Sequence, residues 1–92
     1  MSDPLFWRVD LTDKAEEDLE RMDAGTRRRI LERLRWLETH FSEVVPLPLG
    51  GPWKGFFKLR VGDWRVIYQI EHTDHVITVH HIDRRDKIYK QA

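Results

Sequence analysis

The sequence has no cysteine, which removes disulfide frameworks, thiol nucleophiles and thiolate metal sites together. A reducing compartment is the simplest setting, and the cytoplasm is the expected location. No apolar run approaches the roughly 20 residues of a membrane span, so no membrane partner is expected. The opening Met1-Ser2-Asp3-Pro4 lacks the basic and apolar regions of a signal peptide. Net charge is missing as well: 16 Lys/Arg balance 16 Asp/Glu, which by itself argues against a general nucleic-acid binder. There are no internal repeats and no low-complexity segments. The 92 residues suit one domain over 1–92, with one small core.

The balance of charge conceals an asymmetry. Residues 1–45 hold 8 Lys/Arg and 11 Asp/Glu, whereas residues 46–92 hold 8 and 5, with four of the five histidines. The basic half contains the stretch around which the chain is organised, Trp53 to Ile70. Two runs rich in β-branched and aromatic residues flank Gly62-Asp63, a two-residue hairpin signal. A tight turn there sets Arg60 opposite Arg65, Leu59 opposite Val66 and Lys58 opposite Ile67. Period-2 alternation then gives a core face of Phe57, Leu59, Val61, Trp64, Val66, Tyr68 and Ile70. The other face carries Phe56, Lys58, Arg60, Arg65, Ile67 and Gln69. Like charges directly across a strand pair repel, so an anion is expected to relieve Arg60 and Arg65.

The other elements are read in the same way. Phe6 to Leu11 alternates, with Trp7, Val9 and Leu11 on one side, and predicts a strand. Thr12 suits an N-cap, with Asp13, Glu16 and Glu17 in the turns that follow. Ala15, Leu19 and Met22 recur at helical spacing, and the helix is expected to end near Asp23-Ala24-Gly25. Thr26 is the expected cap of a second helix, whose apolar stripe is Ile30, Leu34, Leu37 and Phe41, with Leu31 alongside. The basic run Arg27-Arg28-Arg29, with Arg33 and Arg35, fits a solvated face paired with Glu32 and Glu38, or a contact surface for a partner. Ser42 to Pro52 holds three of the four prolines and reads as a loop. Glu71 to His75 is a polar turn whose two histidines lack a further metal-ligand set. Val76 to Ile82 is the last strand, in which His80 and His81 are expected to face opposite ways. The fold class is therefore α+β: an N-terminal strand, an antiparallel helical hairpin, then a three-stranded antiparallel meander.

The run Lys58-Leu59-Arg60-Val61-Gly62-Asp63-Trp64-Arg65-Val66-Ile67-Tyr68, followed after a further strand by Arg84-Arg85-Asp86-Lys87-Ile88-Tyr89, resembles the RelE/ParE superfamily of bacterial toxins. The similarity covers nearly the whole chain. It implies a RelE-like fold and the toxin role of a type II toxin–antitoxin pair, with a cognate antitoxin as partner. RelE-like members cleave mRNA at the ribosome without a metal or other cofactor, and ParE-like members inhibit DNA gyrase. By the resemblance to RelE-like members, Lys58, Arg65, Arg85 and Tyr89 stand at catalytic positions. Two positions depart from the pattern: Phe56 stands where some members have a second lysine, and Arg84-Arg85 replaces a frequent His-Arg pair.

Metal-free RNA cleavage needs a base for the 2′-hydroxyl, an acid for the departing 5′-oxygen and positive charge for the phosphorane. Arg65 and Arg85 suit the third role, since guanidinium groups bind phosphate bidentately. Lys58 has Arg60 and Arg65 as neighbours, and nearby cations favour the neutral amine, so it leads as base. His81 competes, because imidazole titrates near neutrality unaided. In the register of the resemblance, His80 and Ile82 lean to the core and His81 to the site. Tyr89 and Phe56 are candidates for stacking on a base, with Arg60 and Arg84 as further RNA contacts. The expected activity is that of an mRNA-cleaving endoribonuclease on the ribosome. The rivals are a ParE-like gyrase inhibitor and an inactive chain that only binds its antitoxin.

Overall fold

The first strand, β1 (Arg8–Leu11), stops where Thr12 opens helix α1 (Asp13–Glu20). Thr12 Oγ1 accepts from the Ala15 N–H at 3.2 Å and donates to the His80 carbonyl at 3.2 Å. One hydroxyl thus caps the helix and ties it to the last strand. Thr12→Ala is expected to lower stability by about 1 kcal/mol, read as an earlier urea midpoint; an unchanged midpoint would show that the cap contributes nothing.

Helix α2 (Ala24–His40) is capped by Asp23 and not, as its sequence suggests, by Thr26. Asp23 Oδ2 accepts from the Thr26 N–H at 3.3 Å, and Oδ1 accepts from Thr26 Oγ1 at 2.6 Å. A carboxylate suits the positive end of a helix better than a hydroxyl. The basic run then divides. Arg27 Nε donates to the Leu19 carbonyl at 3.0 Å and Nη2 to the Met22 carbonyl at 2.9 Å, so this arginine closes the C-terminal end of α1. Arg28 and Arg29 remain exposed.

The structure, a computed structural model, describes residues 6–85 and Lys87. Its sheet has five strands in the order β1-β5-β4-β3-β2: β2 (Leu47–Pro48), β3 (Phe57–Val61), β4 (Trp64–Glu71) and β5 (Val76–Arg84), with β1 parallel to β5 and the other pairs antiparallel. β2 lies in the proline-rich segment read from sequence as loop. Its two residues pair at an edge, where a missing proline N–H costs nothing. A 3₁₀ turn at Gly51–Trp53 follows it.

Both helices pack on one side of the sheet, α1 mainly on β5 and α2 on β1 and β3. The core joins Ala15, Leu19 and Met22 with Ile30, Leu34, Leu37 and Phe41, and these lie on Leu59, Val66, Tyr68, Ile77, Val79 and Ile82. Leu31 falls outside that stripe and is exposed. Glu38 fastens α2 to β1: its Oε2 accepts from the Val9 N–H at 3.0 Å, and its carbonyl from the Trp7 N–H at 2.8 Å. That carboxylate therefore serves a strand edge and not an arginine pair.

Candidate functional site

The β3–β4 hairpin has the register its turn demands: Lys58 pairs with Ile67, Leu59 with Val66 and Arg60 with Arg65. Gly62 has φ +60°, a conformation that favours glycine. Across the next strand pair Ile67 meets His81 and Arg65 meets Asp83. Cross-strand partners share a face. The side away from the helices therefore carries one row of Lys58, Ile67 and His81, and a second of Arg60, Arg65 and Asp83.

A β-bulge alters β5. Ile67 pairs with His81 but Tyr68 with Val79, so His80 is the extra residue. Val79 and Ile82 both reach the core, which leaves His80 and His81 on the same side. The sequence expectation that His80 leans into the core, apart from His81, is corrected by this one inserted residue. His80 instead packs against the edge of Phe56, ring centroids 5.0 Å apart, and burial pushes its imidazole below the ordinary histidine range.

His81 is only 4% exposed. Its Nδ1 lies 2.7 Å from Asp18 Oδ2, and the same oxygen accepts from the Ile82 N–H at 2.9 Å. Asp18 comes from α1, which lies beside β5 beyond the last residue pair of β1, Leu11 with Val79. Its carboxylate thus fills the edge that β1 vacates. Burial pushes the Asp18 carboxyl up, but hydrogen bonds from Ile82, Lys14 and His81 outweigh it and hold it below the usual range. Lys14 Nζ lies 2.9 Å from Oδ1. The other imidazole nitrogen, Nε2, is buried without a hydrogen-bond partner among the described residues and stands 3.7 Å from Asp83 Oδ2. Sequence reasoning passed over Asp18 because an acid at helical spacing looks like any solvated helix residue.

Trp53, also missed, lies parallel to the His81 ring at 6.3 Å and meets the edge of Phe56 at 5.3 Å. Ile67, between Lys58 and His81, is fully buried although it belongs to the side opposite the helices. The centre of this face is therefore closed by Ile67, with Phe56 half-buried on the same side. Four polar atoms on it, Trp53 Nε1, Arg65 Nε, His80 Nε2 and His81 Nε2, are buried and lack hydrogen-bond partners among the described residues. Such groups are costly unless something pairs with them.

Arg65 departs from expectation most. It is 8% exposed, and its Nη1 donates at 2.9 Å to both the Gly62 and the Trp64 carbonyls. The Arg60 and Arg65 guanidinium groups thus part: one folds onto the turn, with Asp83 opposite it on β5, and the other stays in solvent. Arg85 is exposed, and its backbone N–H donates to the Asp63 carbonyl at 2.9 Å, which brings it to the same turn. Arg84 pairs with Trp64 and so shares the helix side of the sheet, away from Lys58. Lys58 is half-buried on β3. Tyr89 and Asp86 lie outside the described residues. The hydroxyl of Tyr68, pushed up to about 12 by burial, lies on the core side and takes no part.

Two helices on one side of a mixed five-stranded sheet, with lysine, arginine and histidine on the other, define a RelE-like toxin fold. Solved structures agree. The toxin–antitoxin complex RelBE2 of Mycobacterium tuberculosis is similar with a TM-score of 0.77 and 23% identity, over 87% of this chain and 99% of that one. The archaeal RelE–RelB complex of Pyrococcus horikoshii gives 0.70 and 27%, over 87% and 96%. A double mutant of the free Escherichia coli toxin RelE gives 0.72 and 15%, over 95% and 94%. No curated protein matches the sequence. The profile of the family described as the ParE toxin of the type II toxin–antitoxin system, parDE, matches residues 9–89. The chain belongs to that family.

Proposed function

We propose that this toxin is a metal-independent endoribonuclease that cuts message on the ribosome and is held in check by a cognate antitoxin. The observation that supports the reading is the one sheet face that carries an amine, an imidazole and a guanidinium, from positions 58, 81 and 65, with Ile67 between the first two. In the proposed reaction the 2′-oxygen bonds to phosphorus as the P–O5′ bond breaks, leaving a cyclic phosphate and a 5′-hydroxyl. His81 Nε2 takes the 2′ proton, the Lys58 ammonium supplies one to O5′, and Arg65 and Arg85 offset the phosphorane charge. The nucleobase takes the place of the Trp53 indole, which is already a flat aromatic group lying over His81.

A second reading has its own support. With Ile67 fully buried and Arg65 folded onto the turn, the face suits a protein that acts by binding, as a gyrase inhibitor would. Primer extension on translated message, run beside a supercoiling assay with purified gyrase, separates the two. Cleavage within coding sequence is expected, with supercoiling unaffected; the reverse pattern overturns the ribonuclease reading.

Free RNA is expected to be a poor substrate, because a chain of zero net charge attracts the phosphate backbone weakly. Arg28 and Arg29, which form no ion pair among the described residues, are the proposed ribosomal RNA contacts. Arg28→Ala with Arg29→Ala should slow cleavage on ribosomes roughly tenfold at unchanged stability. Arg27→Ala should instead destabilise the fold, since it uncaps α1. Efficient cutting of free RNA would overturn the ribosome dependence, and an unchanged rate in the double variant would remove α2 from the contact surface.

A further inference from the structure

The Asp18–His81 contact is a buried pair reached across the edge of the sheet from a helix that carries no other site residue. An ionised carboxylate only accepts hydrogen bonds. Three donors converge on Asp18: the Ile82 N–H and His81 Nδ1 on one oxygen, and Lys14 Nζ on the other. The nitrogen facing Asp18 must therefore carry the proton, and in the neutral ring Nε2 is then the lone pair. That lone pair lies on the face shared with Lys58 and Arg65, buried, with no hydrogen-bond partner among the described residues and with Asp83 Oδ2 3.7 Å away.

We infer that Asp18 is a positioning residue, which locks the His81 ring with its proton on Nδ1 and so presents Nε2 to the 2′-hydroxyl of a bound ribonucleotide. The inference rests on the ribonuclease reading above and adds to it a residue outside the strands. The carboxylate also holds the imidazolium that forms when Nε2 takes the 2′ proton, so its effect is greatest in the transition state. A purely structural Asp18, needed only to cap the Ile82 amide, would have neither consequence. The charged or titratable groups around the ring are Asp18 and Lys14 from α1, Asp83 and His80 on β5, Lys58 on β3 and Arg65 on β4.

The test combines ring spectroscopy with kinetics on the full chain. In ¹⁵N-labelled protein at alkaline pH, the His81 ring shifts should report the Nδ1–H form. Asp18→Asn keeps an oxygen for the Ile82 amide but loses the charge. It should give mixed tautomers and lower kcat on ribosome-bound message by roughly 10- to 1000-fold at nearly constant KM. The double variant Asp18→Asn with His81→Gln should be no slower than His81→Gln alone, because the two act as one unit. An Nε2–H ring in the parent protein overturns the inference, as does an equal Asp18→Asn loss in the His81→Gln background. If Asp18→Asn melts far below the parent, the parent's ring spectrum carries the test alone. If the parent protein cuts no message, the ribonuclease reading fails, while the ring spectrum still decides whether Asp18 fixes the tautomer.

Discussion

Arg65→Ala is expected to lower cleavage per folded molecule by on the order of 100- to 1000-fold, the usual effect of deleting a preorganised charge donor. It is also expected to weaken the fold. Read from sequence, Arg65 stands on an open face, and its truncation leaves the core untouched. In the structure its guanidinium is buried and bonds two turn carbonyls. Losing a charged donor to two part-buried carbonyls costs roughly 1–3 kcal/mol, enough to matter in a chain of this size. The substitution therefore has to be read through two measurements, a urea midpoint and a cleavage rate corrected for the folded fraction. Arg65→Lys keeps the charge but not the planar fork, and should restore little of either. A corrected rate equal to that of the parent would make Arg65 a turn clamp and nothing more.

The double role of Arg65 follows from where it sits. At the end of a two-residue turn the nearest acceptors are the chain's own carbonyls, and Arg60 directly opposite repels it. Alternation assigns the side of the sheet but not the direction in which a long side chain runs along it. Sequence reading was accurate where a rule acts through neighbours in the chain. The hairpin register followed from Gly62-Asp63, the core face from period 2, and the α2 stripe from helical spacing. It failed where one residue or one distant contact decides. The bulge at His80 moves a histidine to the other side of the sheet, and no composition signal marks it in Val76–Arg84. Asp18 matters only because β1 ends at Leu11 and leaves the Ile82 amide open, a fact of topology separated from it by 64 residues. Trp53 opens the central stretch just after the proline-rich loop, and nothing in its spacing shows that its ring will lie parallel to that of His81. The choice between Asp23 and Thr26 as cap was a contest between two adequate residues three apart.

The base is the remaining question, and the largest expected effect bears on it. The sequence favours Lys58, on the argument that Arg60 and Arg65 together make its proton easier to remove. The structure turns the Arg65 Nη1 toward Gly62 and leaves Arg60 in solvent. His81 has a hydrogen-bonded Nδ1 and an Nε2 with no hydrogen-bond partner among the described residues. His81→Gln should therefore cost more activity than Lys58→Ala, roughly 100- to 10,000-fold for a lost base, with Lys58→Ala losing the acid for the departing oxygen. A base works unprotonated, so the rate should rise with pH through the base's titration and fall as the acid loses its proton. With His81 as base, His81→Gln should abolish the rising limb. If the rise persists in His81→Gln, continues above pH 8 and disappears in Lys58→Ala, the roles are reversed: Lys58 is the base and His81 only part of the wall beneath Trp53.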